Sequence, residues 1–136
     1  MIINAENMVV GRLATLAAKK ALLGEKVDII NCEKAVMSGK KRFLIAETKR
    51  KVDMGTFKGP FYPRMADRLV RRIIRGMLPY KQEKGDKAFK RVMCYRGIPK
   101  ELEGKESISI EGAHLSKIKD TDYMTIADIC KKLGGR

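Results

Sequence analysis

The chain has 136 residues, 44% of them hydrophobic, which is the usual length of one domain with one core and too apolar for a disordered chain. Thirty Lys and Arg face sixteen Asp and Glu, a net charge of +14, so an anionic partner is expected, either nucleic acid or an acidic membrane surface. No run of about 20 apolar residues exists for a membrane span, and Arg12, Lys19 and Lys20 interrupt the apolar stretch from Met8 to Leu23. With no secretory leader, the chain is expected to be cytoplasmic and free of membrane.

In chain order, Met1 to Asn4 reads as a first strand, and Asn7 is placed to cap the helix that follows. Leu13, Leu16, Ala17, Ala21 and Leu22 recur at helical spacing, with Gly24 as the stop. Val27 to Asn31 is a buried strand, completing a βαβ unit. Met37-Ser38-Gly39 reads as a turn with Ser38 as a cap, followed by a helix over 40–52 that is basic at both ends. Residues 53–63 form a loop with Gly55, Gly59, Pro60 and Pro63, interleaved with Phe57, Phe61 and Tyr62. These rings either stack on bases or pin the loop to the protein. A helix over 64–75 ends at Gly76, and Met77-Leu78-Pro79 turns the chain. Another helix is expected over 83–94, with Ala88, Val92 and Phe89 inward, before Gly97 and Pro99. Ile108 and Ile110 alternate with polar residues as a candidate strand, and Thr125 caps a last helix that Gly134 stops. The order predicts an α/β fold: a three-layer α/β/α sandwich, residues 1–136 as a single domain, with a small mainly parallel sheet and a basic elaboration over 40–100.

Charge is concentrated in the middle. Residues 40–100 hold nineteen Lys/Arg against five Asp/Glu, while residues 1–39 hold five against four and residues 101–136 six against seven. The ends read as scaffold and the middle as a contact surface. Within it, a helical wheel places Arg64, Arg68, Arg71, Arg72 and Arg75 within an arc of about 100°. Leu69, Val70, Ile73 and Ile74 fall on the opposite side. Like charges at this spacing repel, and a phosphate backbone reverses the sign. Arginine suits phosphate because its planar fork donates two hydrogen bonds at once.

The segments Gly59-Pro60-Phe61-Tyr62-Pro63-Arg64 and Arg75-Gly76-Met77-Leu78-Pro79-Tyr80-Lys81 flank this helix. In that order they resemble the universal large-subunit ribosomal protein thirteen family, in its archaeal and eukaryotic branch. Val10-Gly11-Arg12-Leu13-Ala14, Val27 to Glu33, and Gly85 to Pro99 are similar to further segments of it. The resemblance runs from Met1 to about Pro99, and departs at Ala66 and Asp67, the latter an acid inside the basic stretch. It implies a three-layer core, binding to large-subunit rRNA beside neighbouring large-subunit ribosomal proteins, and no catalysis. Carried over residue by residue, it points to Arg12 and to the segment from Gly59 to Lys81.

Together the candidate RNA contacts are Arg12, Lys40, Lys41, Arg42, Arg50, Lys58, Arg64, Arg68, Arg71, Arg72, Arg75, Lys81 and Lys84. Gly59, Pro60, Gly76 and Pro79 are the candidate turn residues, Gly76 with a positive φ as a helix C-cap. Met77 and Leu78 are expected to anchor that turn in the core. Ser38-Gly39-Lys40-Lys41 lacks the full phosphate-loop spacing, so nucleotide hydrolysis is unsupported, though a basic helix start can meet a phosphate. Cys32, Cys94 and Cys130 read as buried hydrophobes rather than disulfides, and His114 as an ordinary loop residue. No metal, cofactor or small-molecule substrate is expected. The competing reading is a free regulatory RNA binder acting outside the ribosome.

Overall fold

The computed structural model describes residues 1–119 and 122–135. The chain begins with β1 (Ile2–Asn4), crosses through α1 (Val10–Leu22) and returns in β2 (Val27–Ile30), the βαβ unit that the sequence announces. β2 pairs in parallel with β1 on one side and with β4 (Val92–Cys94) on the other. The register sets Ile3, Ile29 and Cys94 side by side on one face and Ile2, Asp28 and Met93 on the other. The first face is the core face: Ile3, Val27, Ile29 and Val92 are fully buried. α1 lies over it with Leu13, Ala14, Ala17 and Ala21 turned in. Three alanines there leave room for close backbone approach, and α3 (Ala66–Gly76) and α4 (Glu83–Lys90) pack beside α1.

A second, two-stranded sheet pairs β3 (Val36–Ser38) with β5 (Tyr123–Thr125), antiparallel. It carries α2 (Lys41–Asp53) and α5 (Ile126–Lys132). One cluster of buried residues runs from Ile3 to Leu133 and draws on both sheets. Among the described residues the fold is therefore α/β, with a small parallel main sheet, a separate antiparallel strand pair and five α-helices.

Several local expectations are corrected. Asn7 does not cap α1: it sits in the left-handed region at φ 55, and the helix starts at Val10 without a side-chain cap. Met37 and Ser38 end a strand rather than form a turn, and Ser38 caps nothing, since Lys40 is the N-cap of α2. The helix over 83–94 stops at Lys90, because Val92 and Cys94 are taken by the sheet edge. Intrinsic preference favoured that outcome too, since Val92 is β-branched. Ile108 adds only a single parallel bridge to Ile3, not a strand. Short runs such as 123–125 give too little alternation to announce a strand.

Other expectations hold. Thr125 accepts a hydrogen bond from the Asp128 backbone N–H as a cap, and Gly24 and Gly134 both adopt positive φ after their helices. Cys32, Cys94 and Cys130 are buried free thiols. The Cys94 thiol is raised well above the usual range by the neighbouring Cys32 thiol and by burial, and burial raises Cys130 to about 11. Both are therefore neutral packing groups rather than nucleophiles at physiological pH.

Candidate RNA interface

α3 owes its orientation to its apolar side. Leu69, Val70 and Ile74 are buried against α1 and the sheet, which leaves the arginines on the outer face. The helix starts at Ala66, so Arg64 lies outside it on an exposed extended segment, and four arginines rather than five share the helical face. Arg68, Arg71, Arg72 and Arg75 line a shallow cleft of about 130 Å³ together with Phe89. No ion pair involves any of them among the described residues. Asp67 does not neutralise them: its Oδ1 is buried and lacks a hydrogen-bond partner.

The four arginines are not equivalent. Arg71 Nε donates to the Val92 carbonyl at 3.0 Å, and its guanidinium lies 4.3 Å from the Phe89 ring centroid. Arg75 stacks over Tyr80 at 4.5 Å. An aromatic face fixes a guanidinium while leaving its edge N–H groups free, so these side chains are held in place before any ligand arrives. Arg68 and Arg72 have no such support; Arg68 is exposed and Arg72 half-buried. The part played by Phe89 was hidden in the sequence. It lies eighteen residues from Arg71, and only the packing of α3 and α4 beside each other on α1 brings the two together.

The turn after α3 positions this face. Leu78 is buried, as expected, but Met77 is 42% exposed and meets the Thr15 hydroxyl of α1 instead of the core. Gly76 is also corrected: it lies within the helix and its φ is not positive, so it is no left-handed C-cap. Pro79 accepts from the Gln82 N–H and leads into α4. Lys81 and Lys84 are exposed and unpaired among the described residues, whereas Lys87 and Lys90 are matched within α4 by Glu83 and Asp86. Arg12, on α1, is exposed and donates to the Gly112 carbonyl at 2.9 Å, so that contact directs it to the 111–113 segment.

The other candidates lie elsewhere. Lys40, Lys41 and Arg42 open α2 beside β5 and α5, and Lys41 lines a separate cleft with Tyr123 and Asp128. Arg50 is held by Glu47 through two hydrogen bonds, at 2.7 and 3.0 Å, and holds that carboxyl below its ordinary range. Lys58 stands at the tip of the 53–63 loop. His114 is exposed, its ring nitrogen accepting from the Ser116 N–H. The described residues contain no cluster able to hold a metal ion, and no described helix is long and apolar enough to cross a membrane.

A profile described as ribosomal protein L13 matches residues 1–101, about three quarters of the chain. The chain belongs to the ribosomal protein L13 family. The chain is 42% identical over 136 residues to the large ribosomal subunit protein uL13 of Methanococcoides burtonii, covering 99% of this chain and 98% of that one. It is 41% identical to the uL13 of Archaeoglobus fulgidus, covering 99% and 88%, and 39% identical to that of Methanococcus maripaludis, covering 100% and 98%. These relatives are archaeal, in line with the branch that the Arg75–Lys81 run suggested. Membership of the L13 family makes the chain a ribosomal protein and not an enzyme.

Proposed function

We propose that this L13-family chain is a structural constituent of the cytoplasmic large ribosomal subunit and that it binds large-subunit rRNA mainly through the arginine face of α3. The observation that carries this reading is the cleft of Arg68, Arg71, Arg72 and Arg75, free of acidic partners among the described residues and backed by Phe89 and Tyr80. A planar donor fork held on a ring favours bidentate contact with phosphate. The reading is of RNA shape rather than base sequence, because contacts of this kind go to phosphate and sugar. Lys81 and Lys84, on the turn and helix that follow α3, extend this contact; Arg12 and the remaining candidates are secondary contacts. Residues 1–136 act as one domain, since the buried cluster joins both ends of the chain. The relatives' names place them in the large subunit, which supports the same location here.

The test is a salt titration of binding to a large-subunit rRNA transcript. Changing Arg68, Arg72 and Arg75 together to Gln removes three cations while keeping the Arg71 brace. The logarithmic salt dependence is expected to flatten by about 2–3, on the scale of about 0.7–0.9 per neutralised phosphate. An unchanged slope places the interface on another face. A tagged copy is expected to sediment with large subunits, and its complete absence from them refutes the assignment.

A further inference from the structure

The loop between α2 and α3 divides its aromatics. Tyr62 is packed against the core, and burial raises its hydroxyl above the usual range with Glu47 and Cys130 nearby. Phe57 does the opposite: its side chain is fully solvent-exposed. It stands at the tip of a closed turn in which the Gly59 N–H donates to the Thr56 carbonyl at 3.1 Å and the Thr56 hydroxyl donates to the Gly59 carbonyl at 3.2 Å. Phe57 and Lys58 are the two central residues. Gly59 holds φ at +82, a conformation that needs glycine, and the Phe61 ring rests against its Cα side, where a Cβ would meet the ring at 3.2 Å. The turn is thus braced from behind by Phe61, itself 70% exposed, and presents the fully exposed Phe57 ring beside the Lys58 ammonium.

From these contacts we infer that the Thr56–Gly59 turn is a second RNA contact, in which Phe57 stacks on an unpaired nucleobase and Lys58 meets the adjoining phosphate. The inference rests on the proposal that the chain binds rRNA, and adds to it a contact of different chemistry, away from the α3 cleft. Exposing a whole phenyl ring forfeits the stabilisation that burial gives, and a base stacked on a ring held out by a braced turn recovers it. Charge selects that partner. Glu47 engages Arg50 and Lys51, which leaves Lys49, Lys58 and Arg64 against Asp53 over residues 49–64, still an anion-seeking surround. Size agrees: a stable protein interface takes about 800 Å² from each side, whereas even the exposed Phe57 and Phe61 together offer at most about 300–500 Å². A single base needs no more than one ring.

The chain contains no tryptophan, so Phe57→Trp places a lone reporter at the tip. Because the site is wholly exposed, substitution there leaves the core intact. With the full-length chain and a large-subunit rRNA transcript, the emission of the introduced indole is expected to be quenched on binding. Phe57→Ala is expected to weaken binding about five- to a hundredfold, the truncation cost of one stacked base, without changing the salt slope. Lys58→Gln should reduce that slope by about 1. The variant lacking Arg68, Arg72 and Arg75 separates the two proposals. If it flattens the salt slope while Phe57→Ala binds as the parent does, the stacking contact is wrong and the α3 interface stands. Emission that stays unquenched on free rRNA but shifts to the blue in assembled subunits assigns the ring to a protein neighbour and overturns the inference.

Discussion

A methyl group added to Gly76 meets no atom within 4 Å, whereas one added to Gly85 runs into the Pro79 carbonyl. Gly76 is exposed and helical, so its glycine costs the helix about 0.5–1 kcal/mol relative to alanine. Gly76→Ala is therefore expected to raise the melting temperature by roughly 1–4 °C. Gly85 lies in the first turn of α4, where the helix passes under the Met77–Gln82 turn. The colliding group is backbone and cannot swing aside, so Gly85→Ala is expected to lower stability by at least about 1–3 kcal/mol. Thermal unfolding of the two variants reads both. A destabilised Gly76→Ala protein would mean that the position needs a glycine conformation after all. The contrast bears on the interface, because α4 carries Phe89 and the same turn carries Tyr80, the two rings that back the arginines.

At the scale of elements, α3 has two jobs, and Arg71 belongs to both. Its guanidinium closes the outer edge of β4 by donating to the Val92 carbonyl, covering a strand edge that otherwise leaves an acceptor unpaired. Losing that hydrogen bond and the Phe89 stack is expected to cost about 1–3 kcal/mol. Urea unfolding of Arg71→Gln should show this loss, while Arg72→Gln, which breaks no contact of this kind, should stay within about 0.5 kcal/mol of the parent. Equal stability of the two would remove the structural role from Arg71. The sequence displayed the arginine face because its signal is periodic and local: Leu69, Val70 and Ile74 define the buried side, and the arginines follow by subtraction. It displayed β1, α1 and β2 for the same reason. It could not display which arginines are braced, because Phe89 and Val92 reach Arg71 only through tertiary packing. β4 and β5 were hidden too: each is three residues long and borrows its conformation from a partner strand, β4 from β2 and β5 from β3. The turn at Phe57 was half legible. Its aromatics were plain, but which of them turned inward depended on Tyr62 finding the space near Glu47 and Cys130.

For the whole molecule, the same surplus of charge acts on two equilibria with opposite sign. The free chain carries +14, and the arginines of α3 have no acidic partner among the described residues. Folding gathers these cations and costs self-repulsion, which added salt screens; the Debye length falls from about 30 Å at 0.01 M to about 8 Å at 0.15 M. The free protein is therefore expected to melt at a higher temperature as sodium chloride rises through that range. Binding to RNA moves the other way, because added salt removes the gain from releasing counterions. Replacing Arg68, Arg72 and Arg75 with Gln should shrink both salt effects together, since it removes the charges that produce each of them. Melting curves of the free parent and variant proteins, set beside their rRNA affinities at the same salt concentrations, measure the two slopes. A free protein whose melting temperature falls with salt would mean that its surface charges are net attractive. The unmatched basic surface, on which the assignment of an rRNA partner depends, would then not exist.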